Sequence, residues 1–271
     1  MPQIADPTIR RPPAGLAMLA LVGPSLIWCA EYIGSGEVVL ATRSGAILGI
    51  SVLWAVLLSI FLKFWIGLSG GIYTVCTGEG MVDMFARVPG PRYWAVWVVL
   101  LVQFYAGAMA MGSLASAAGA FIAPLTGLPP FLAGWLATAF AVCVAWTGEF
   151  KLLKIVMTTL VAVTVLGILN VASHVLPPFS ALLASIVPRE PTVPAWAIEQ
   201  GLSPDPWQEI LPLVGWGAGG FASQVWYTYW VLGAKYGAAA ETGYGVSANV
   251  DKLQKLTEQD GERLRGWCRL I

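Results

Sequence analysis

From Trp94 to Gly148 the chain carries no Asp, Glu, Lys, Arg or His. A soluble domain places a charged residue at about every fourth position, so an uncharged stretch of this length is stable only with lipid as its solvent. The remainder agrees. Of 271 residues, 57% are hydrophobic and only 11% charged, and the mean hydropathy is +0.72. The 15 Lys and Arg balance the 15 Asp and Glu, so there is no basic excess to attract nucleic acid, and the apolar content excludes a disordered chain. The 30 Gly, 18 Pro and 13 Trp suit membrane helices and their interfaces. An all-α, polytopic integral membrane protein follows, with the lipid bilayer as its first partner and no nucleic acid; its expected setting is a bacterial-type plasma membrane.

The cysteines are scattered. Cys29, Cys76 and Cys143 lie in or beside apolar runs, and Cys268 is in the polar tail. No CxxC or Cys/His spacing occurs, so they are expected to be small packing residues rather than a disulfide frame or a zinc site. The apolar stretch after Pro13 is too long for a signal-peptide core and reads as a retained span.

A helix needs about 20 apolar residues to cross a bilayer. Six candidates meet that need: about Leu16–Leu48, Ile50–Thr77, Tyr93–Ala120, Phe131–Thr147, Leu152–Leu176 and Ile210–Ala234. Residues 1–15 form a cytoplasmic tail, 16–234 the six-span domain, and 235–271 a polar cytoplasmic loop or tail. Residues 177–208 form a Pro-rich external loop, within which Phe179–Val187 is expected to lie on the interface. With both termini cytoplasmic, 12 of the 15 Lys and Arg fall inside, only Arg43 and Arg189 fall outside, and Lys63 lies within the membrane. An odd number of crossings, or the reverse orientation, destroys that bias.

The first span is too long for one straight crossing and contains Glu31-Tyr32-Ile33-Gly34-Ser35-Gly36-Glu37. Glycine costs about 1 kcal/mol against Ala inside a helix, and a carboxylate at bilayer depth costs more unless paired or wet. Both penalties disappear if the helix breaks here. Glu37 then sits in the first turn of a new helix, where the dipole favours an anion. The sixth span repeats the pattern in Gly215-Trp216-Gly217-Ala218-Gly219-Gly220. Glycine-rich stretches also serve close helix packing, but paired interruptions at corresponding places in two halves mark a transporter binding site. Lys63, central in the second span, costs about 3 kcal/mol on insertion scales, and pairing with Glu31 or Glu37 offsets that. Snorkelling or a carbonyl partner is the alternative.

These residues resemble the Nramp (natural resistance-associated macrophage protein) family of divalent metal-ion transporters. Gly23-Pro24, nine residues, Gly34-Ser35-Gly36-Glu37, then Gly45-Ala46, Gly49 and Leu53-Trp54 follow that family's first-span spacing, and Thr77-Gly78 matches the end of its second span. The resemblance covers about residues 16–235. It implies a LeuT-like (amino acid–polyamine–cation) fold, of which the chain holds the first five-helix repeat and the first helix of the second, with spans one and six broken around a central ion site. The departures are specific. Gly34 stands where the family has its ligand Asp, and Glu37 where it has Asn. In the sixth span Gly219 replaces the thioether Met and Phe221 the His. An oxygen site favours hard cations such as manganese or magnesium.

The resemblance implies transport of a divalent cation. Glu37 is the metal ligand, and Glu31, Gly34, Trp216 and Gly219 complete the ion site. Protons would couple through Glu31 or Glu37, and Lys63 is the charge partner. No cofactor is expected beyond the transported ion. Two alternatives stay open: transport of a small organic solute on the same superfold, and a truncated, non-transporting subunit that needs a second chain for the missing helices. An enzyme is not expected, because the one histidine, His174, has no catalytic partners in the sequence.

Overall fold

The computed structural model describes residues 9–21, 25, 28, 39–146, 150–217 and 219–271. Among them all regular structure is helical. A 3-10 turn at Gly15–Leu21 precedes α1 (Ala41–Leu48) and α2 (Leu53–Thr77). There follow α3 (Met81–Phe85), α4 (Trp94–Thr126), α5 (Pro130–Trp146) and α6 (Phe150–Val175). Two short helices, α7 (Phe179–Ala184) and α8 (Ala195–Glu199), lie in the Pro-rich region. Then come α9 (Trp207–Trp216), α10 (Phe221–Gly233), α11 (Val250–Gln254) and α12 (Glu258–Cys268).

Among the described residues, three stretches are long and apolar enough to cross a membrane: Ala41–Thr77, Trp94–Thr126 and Ile155–Val175. Pro130–Trp146 is a shorter apolar helix. The 33 residues of α4 rise about 50 Å, beyond a hydrocarbon core of about 30 Å. The helix passes the expected end at Ala120 and reaches Thr126, with Pro124 inside its last turn. Its side chains are apolar all round, and Phe104 is 82% exposed and Trp97 62% exposed. Water penalises such a surface; lipid does not. The 37-residue Ala41–Thr77 stretch is interrupted where the first two spans were expected to meet. Gly49 has φ 65° and ψ −151°, a conformation closed to side-chain-bearing residues, and donates to the Gly45 carbonyl.

The chain forms two compact units. One comprises residues 1–28, 63–102 and 221–271, the other 29–62 and 103–220. In the second, Ile47, Leu48, Val52 and Ala55 pack on Ala197, Ile210 and Leu213. The Trp54 amide donates to Ser185 at 3.1 Å, and Trp54 meets Trp207 edge to face. In the first unit the core is Ile9, Val75, Tyr227, Val231, Tyr236, Leu264 and Trp267. The polar segment from Lys235 thus folds into this unit through α12. A capping box starts that helix: Thr257 accepts from the Asp260 amide, and the Asp260 carboxylate accepts from the Thr257 amide. The same buried carboxylate accepts from the Ile9 amide at 2.8 Å, and Trp267 stacks on Tyr236.

Candidate functional site

The stretch expected to form the last span, Ile210–Ala234, is not one helix. α9 ends at Trp216 and α10 begins at Phe221. Pro212 inside α9 removes one amide donor, and Gly219 turns the chain at φ 67°. The last turn closes through Gly217 N–H to the Leu213 carbonyl and Gly219 N–H to the Trp216 carbonyl, both at 2.8 Å. Ser59, fully buried on α2, reaches this end from 155 residues away in sequence. Its hydroxyl lies 2.7 Å from the Val214 carbonyl and 3.0 Å from the Gly217 carbonyl. The end of α9 therefore gathers main-chain oxygens at the negative pole of a helix dipole, an arrangement that attracts cations. Trp216 is 43% exposed, and a Cβ built on Gly215 or Gly220 meets nothing within 4 Å. Arg43 on α1 grips Glu209 in the first turn of α9, Nε to Oε2 at 2.9 Å and Nη2 to Oε1 at 2.7 Å. That fork ties α1 to α9.

Of the residues expected to form the site, Trp216 and Gly219 both stand at this break. Glu31, Gly34 and Glu37 lie outside the described residues, as does Gly23-Pro24 of the first-span pattern. Lys63 is half-buried on α2, and its expected partners fall among those same undescribed residues. Among the described residues no three His, Cys, Asp or Glu side chains converge as a metal site.

Sequence reasoning missed a second polar cluster, just beyond the end of α2. Glu79 is fully buried. Its carboxylate accepts from both terminal nitrogens of Arg87 and from the Tyr73 hydroxyl. Arg87 Nη2 also lies 2.6 Å from the Tyr73 hydroxyl. The Glu79 backbone is held as well: its carbonyl accepts from Thr74 and its amide donates to Thr77. Burial pushes the Glu79 carboxyl up, but Arg87 and then Tyr73 outweigh it and hold the group below the ordinary range. Asp83 on α3 accepts from the Tyr229 hydroxyl of α10 at 3.0 Å. Its burial, with the nearby Glu79 charge, raises its pKa despite that hydrogen bond. Thr228 of α10 accepts from the Met81 amide at 3.2 Å. A signal was available in Glu79-Gly80-Met81-Val82-Asp83, two carboxylates directly after an apolar span with Arg87 a few residues on. Charge counting by itself puts Arg87 among the 12 Lys and Arg of the inner side and gives it no partner.

The sequence profile of the natural resistance-associated macrophage protein-like family, Nramp, matches residues 25–198. The chain belongs to the Nramp family. This Nramp chain is similar to a divalent metal cation transporter MntH of Burkholderia ambifaria, 26% identical over 201 residues, or 69% of this chain and 42% of that protein. It is also similar to MntH transporters of Yersinia enterocolitica and Pectobacterium carotovorum subsp. carotovorum. Each is 32% identical over 81 residues, 30% of this chain and 20% of the relative. The chain thus spans less than half the length of these relatives. Nramp membership and the long apolar helices together make it an integral membrane protein.

Proposed function

We propose that this Nramp chain carries the ion-binding part of a transporter for a divalent metal cation. The observation that carries the reading is the end of α9 at Trp216, where the main-chain oxygens of Val214 and Gly217 are gathered by Ser59. Relatives named as divalent metal cation transporters support it. In this reading Glu37 supplies the one anionic ligand, and main-chain oxygens near Glu31, Gly34, Trp216 and Gly219 complete the set. An all-oxygen site without a thioether favours hard ions, manganese or magnesium over softer metals. Glu31 or Glu37 takes up the coupled proton. The LeuT-like architecture with six crossings supplies the alternating access in which one bundle rocks against the other.

A second reading rests on the open space beside Gly215 and Gly220. A small organic solute would fill that space, its carboxylate held by backbone amides at the helix breaks.

Manganese binding separates the two. With the chain reconstituted in lipid nanodiscs, bound ion is read from the loss of the free manganese(II) paramagnetic resonance signal. Glu37→Gln is expected to weaken binding by at least about tenfold, and Mn2+ uptake into liposomes is expected to fall with it. Unchanged affinity in Glu37→Gln overturns the ligand role. Binding of a small carboxylate with no response to Mn2+ favours the second reading.

A further inference from the structure

Cys76 lies in the last turn of α2 and Cys268 is the last residue of α12. Their sulfurs stand 3.6 Å apart across 192 residues of sequence. Both are free thiols and half-buried. The contact belongs to a built interface rather than to a passing tail. Arg263 donates to the Ile9 carbonyl at 2.6 Å, and the Trp267 indole donates to the Arg10 carbonyl at 2.9 Å. One further turn along, Ile271 lies so close to α2 that a Cβ on Gly71 would stand 2.8 Å from its Cγ2. Apolar residues at 264, 267, 268 and 271 put one face of α12 and the residues after it against this core.

We propose that Cys76 and Cys268 form a reversible thiol–disulfide pair that fastens α12 to the end of α2. The reading is independent of the transported substrate. The oxidant is a low-molecular-weight disulfide of the glutathione class. The thiolate of one cysteine attacks a sulfur of that disulfide, a mixed disulfide forms and one small thiol leaves. The thiolate of the other cysteine then attacks the protein sulfur of the mixed disulfide. The Cys76–Cys268 bond forms and the second small thiol leaves. Two cysteine thiols are oxidised, one small disulfide is reduced to two thiols, and the two cysteine protons end on those thiols. The sulfurs already stand 3.6 Å apart, so they need to approach by only about 1.5 Å to reach a disulfide bond length. The fastened state holds α12 in place, and the reduced state leaves it held by packing and hydrogen bonds alone.

The test is a peptide map of the full chain in nanodiscs, treated with oxidised glutathione, alkylated and digested without reduction. The expected product is one linked peptide joining Cys76 to Cys268, lighter by two hydrogens than the reduced pair and lost on adding dithiothreitol. Cys143, which is exposed, is expected to stay available to alkylation. Cys76→Ser and Cys268→Ser each remove the linked peptide, and Cys143→Ser leaves it. Tryptic cleavage after Arg263 and Arg265 is expected to slow severalfold on oxidation. Full alkylation of Cys76 and Cys268 after treatment overturns the pairing, as do links made as often to Cys29 or Cys143. Equal cleavage rates before and after oxidation overturn the fastening. The wild-type map decides the pairing even if a serine variant fails to insert.

Discussion

Arg87 holds the buried carboxylate of Glu79 with both ends of its guanidinium, Nη1 to Oε1 and Nη2 to Oε2, each at 2.5 Å. Glu79 has no exposed side-chain surface, and Arg87 is half exposed. Water therefore reaches one side of the pair and screens it in part.

Removing the cation strands the anion. Arg87→Ala is expected to destabilise the chain by about 2–3 kcal/mol, below the range for a fully buried pair because Arg87 is half solvated. Unfolding by added sodium dodecyl sulfate, followed by circular dichroism in mild detergent, measures it. A change near zero would show that Tyr73 and the backbone contacts suffice for Glu79.

The same pair sets an acid limit. The folded Glu79 carboxyl titrates below its ordinary value of 4.5, so the unfolded chain takes up the proton more readily. The stabilisation is fully present above about pH 4.5 and is lost as pH falls from there through the folded pKa. Melting curves of the wild type are expected to shift down across that window. Those of Glu79→Gln are expected to be flatter there, since no carboxylate remains to titrate.

Asp83 works in the opposite sense. Burial raises its folded pKa above the ordinary 3.8, so its ionised form costs stability at neutral pH. That cost is relieved as pH falls through the raised value toward the ordinary one. Asp83→Asn keeps an oxygen that can accept from Tyr229. It is expected to melt higher than wild type at pH 7, with the advantage shrinking in acid. A lower melting temperature at pH 7 would show that the charge itself is needed by Tyr229.

Ser59→Ala leaves the Val214 and Gly217 carbonyls without the hydroxyl they share. The expected loss is about 1–2 kcal/mol, concentrated at the end of α9. Hydrogen exchange at Gly217 and Gly219 is expected to speed up while amides in the middle of α4 are unchanged. Uniform acceleration across the chain would instead mark a global loss of stability.

Close packing of α4 and α5 depends on bare backbone. A Cβ on Gly119 would stand 2.1 Å from the Pro130 carbonyl oxygen, and one on Gly134 would stand 2.5 Å from the Ala115 carbonyl oxygen. Neither oxygen can swing aside as a side chain does. Gly119→Ala is expected to cost about 1–3 kcal/mol. Gly112→Ala, where a Cβ meets nothing within 4 Å, is expected to be neutral or slightly stabilising, through the better helix propensity of Ala. Thermal unfolding of the two variants side by side makes the comparison.

The sequence by itself determined that this is a helical membrane protein, that long apolar helices run through 94–120 and 155–175, and that the helix over 210–234 breaks near 217–220. Apolar length, charge placement and runs of glycine are local properties, and lipid and backbone respond to them locally. Family membership was legible in the first-span pattern for the same reason, although Glu31, Gly34 and Glu37 themselves fall outside the described residues. Only the tertiary structure decided which groups meet. Ser59 finds carbonyls more than 150 residues away, and Cys76 finds Cys268. Arg87 turns from a cytoplasmic charge into the partner of a buried Glu79. The polar segment after Lys235 hid its role because its charges mask the apolar spacing of Leu264, Trp267, Cys268 and Ile271. That spacing gains meaning only when Val75 and Tyr236 are there to cover it. Hydropathy reports a segment's preference for its solvent, whereas a long-range contact depends on a surface built by distant parts of the chain.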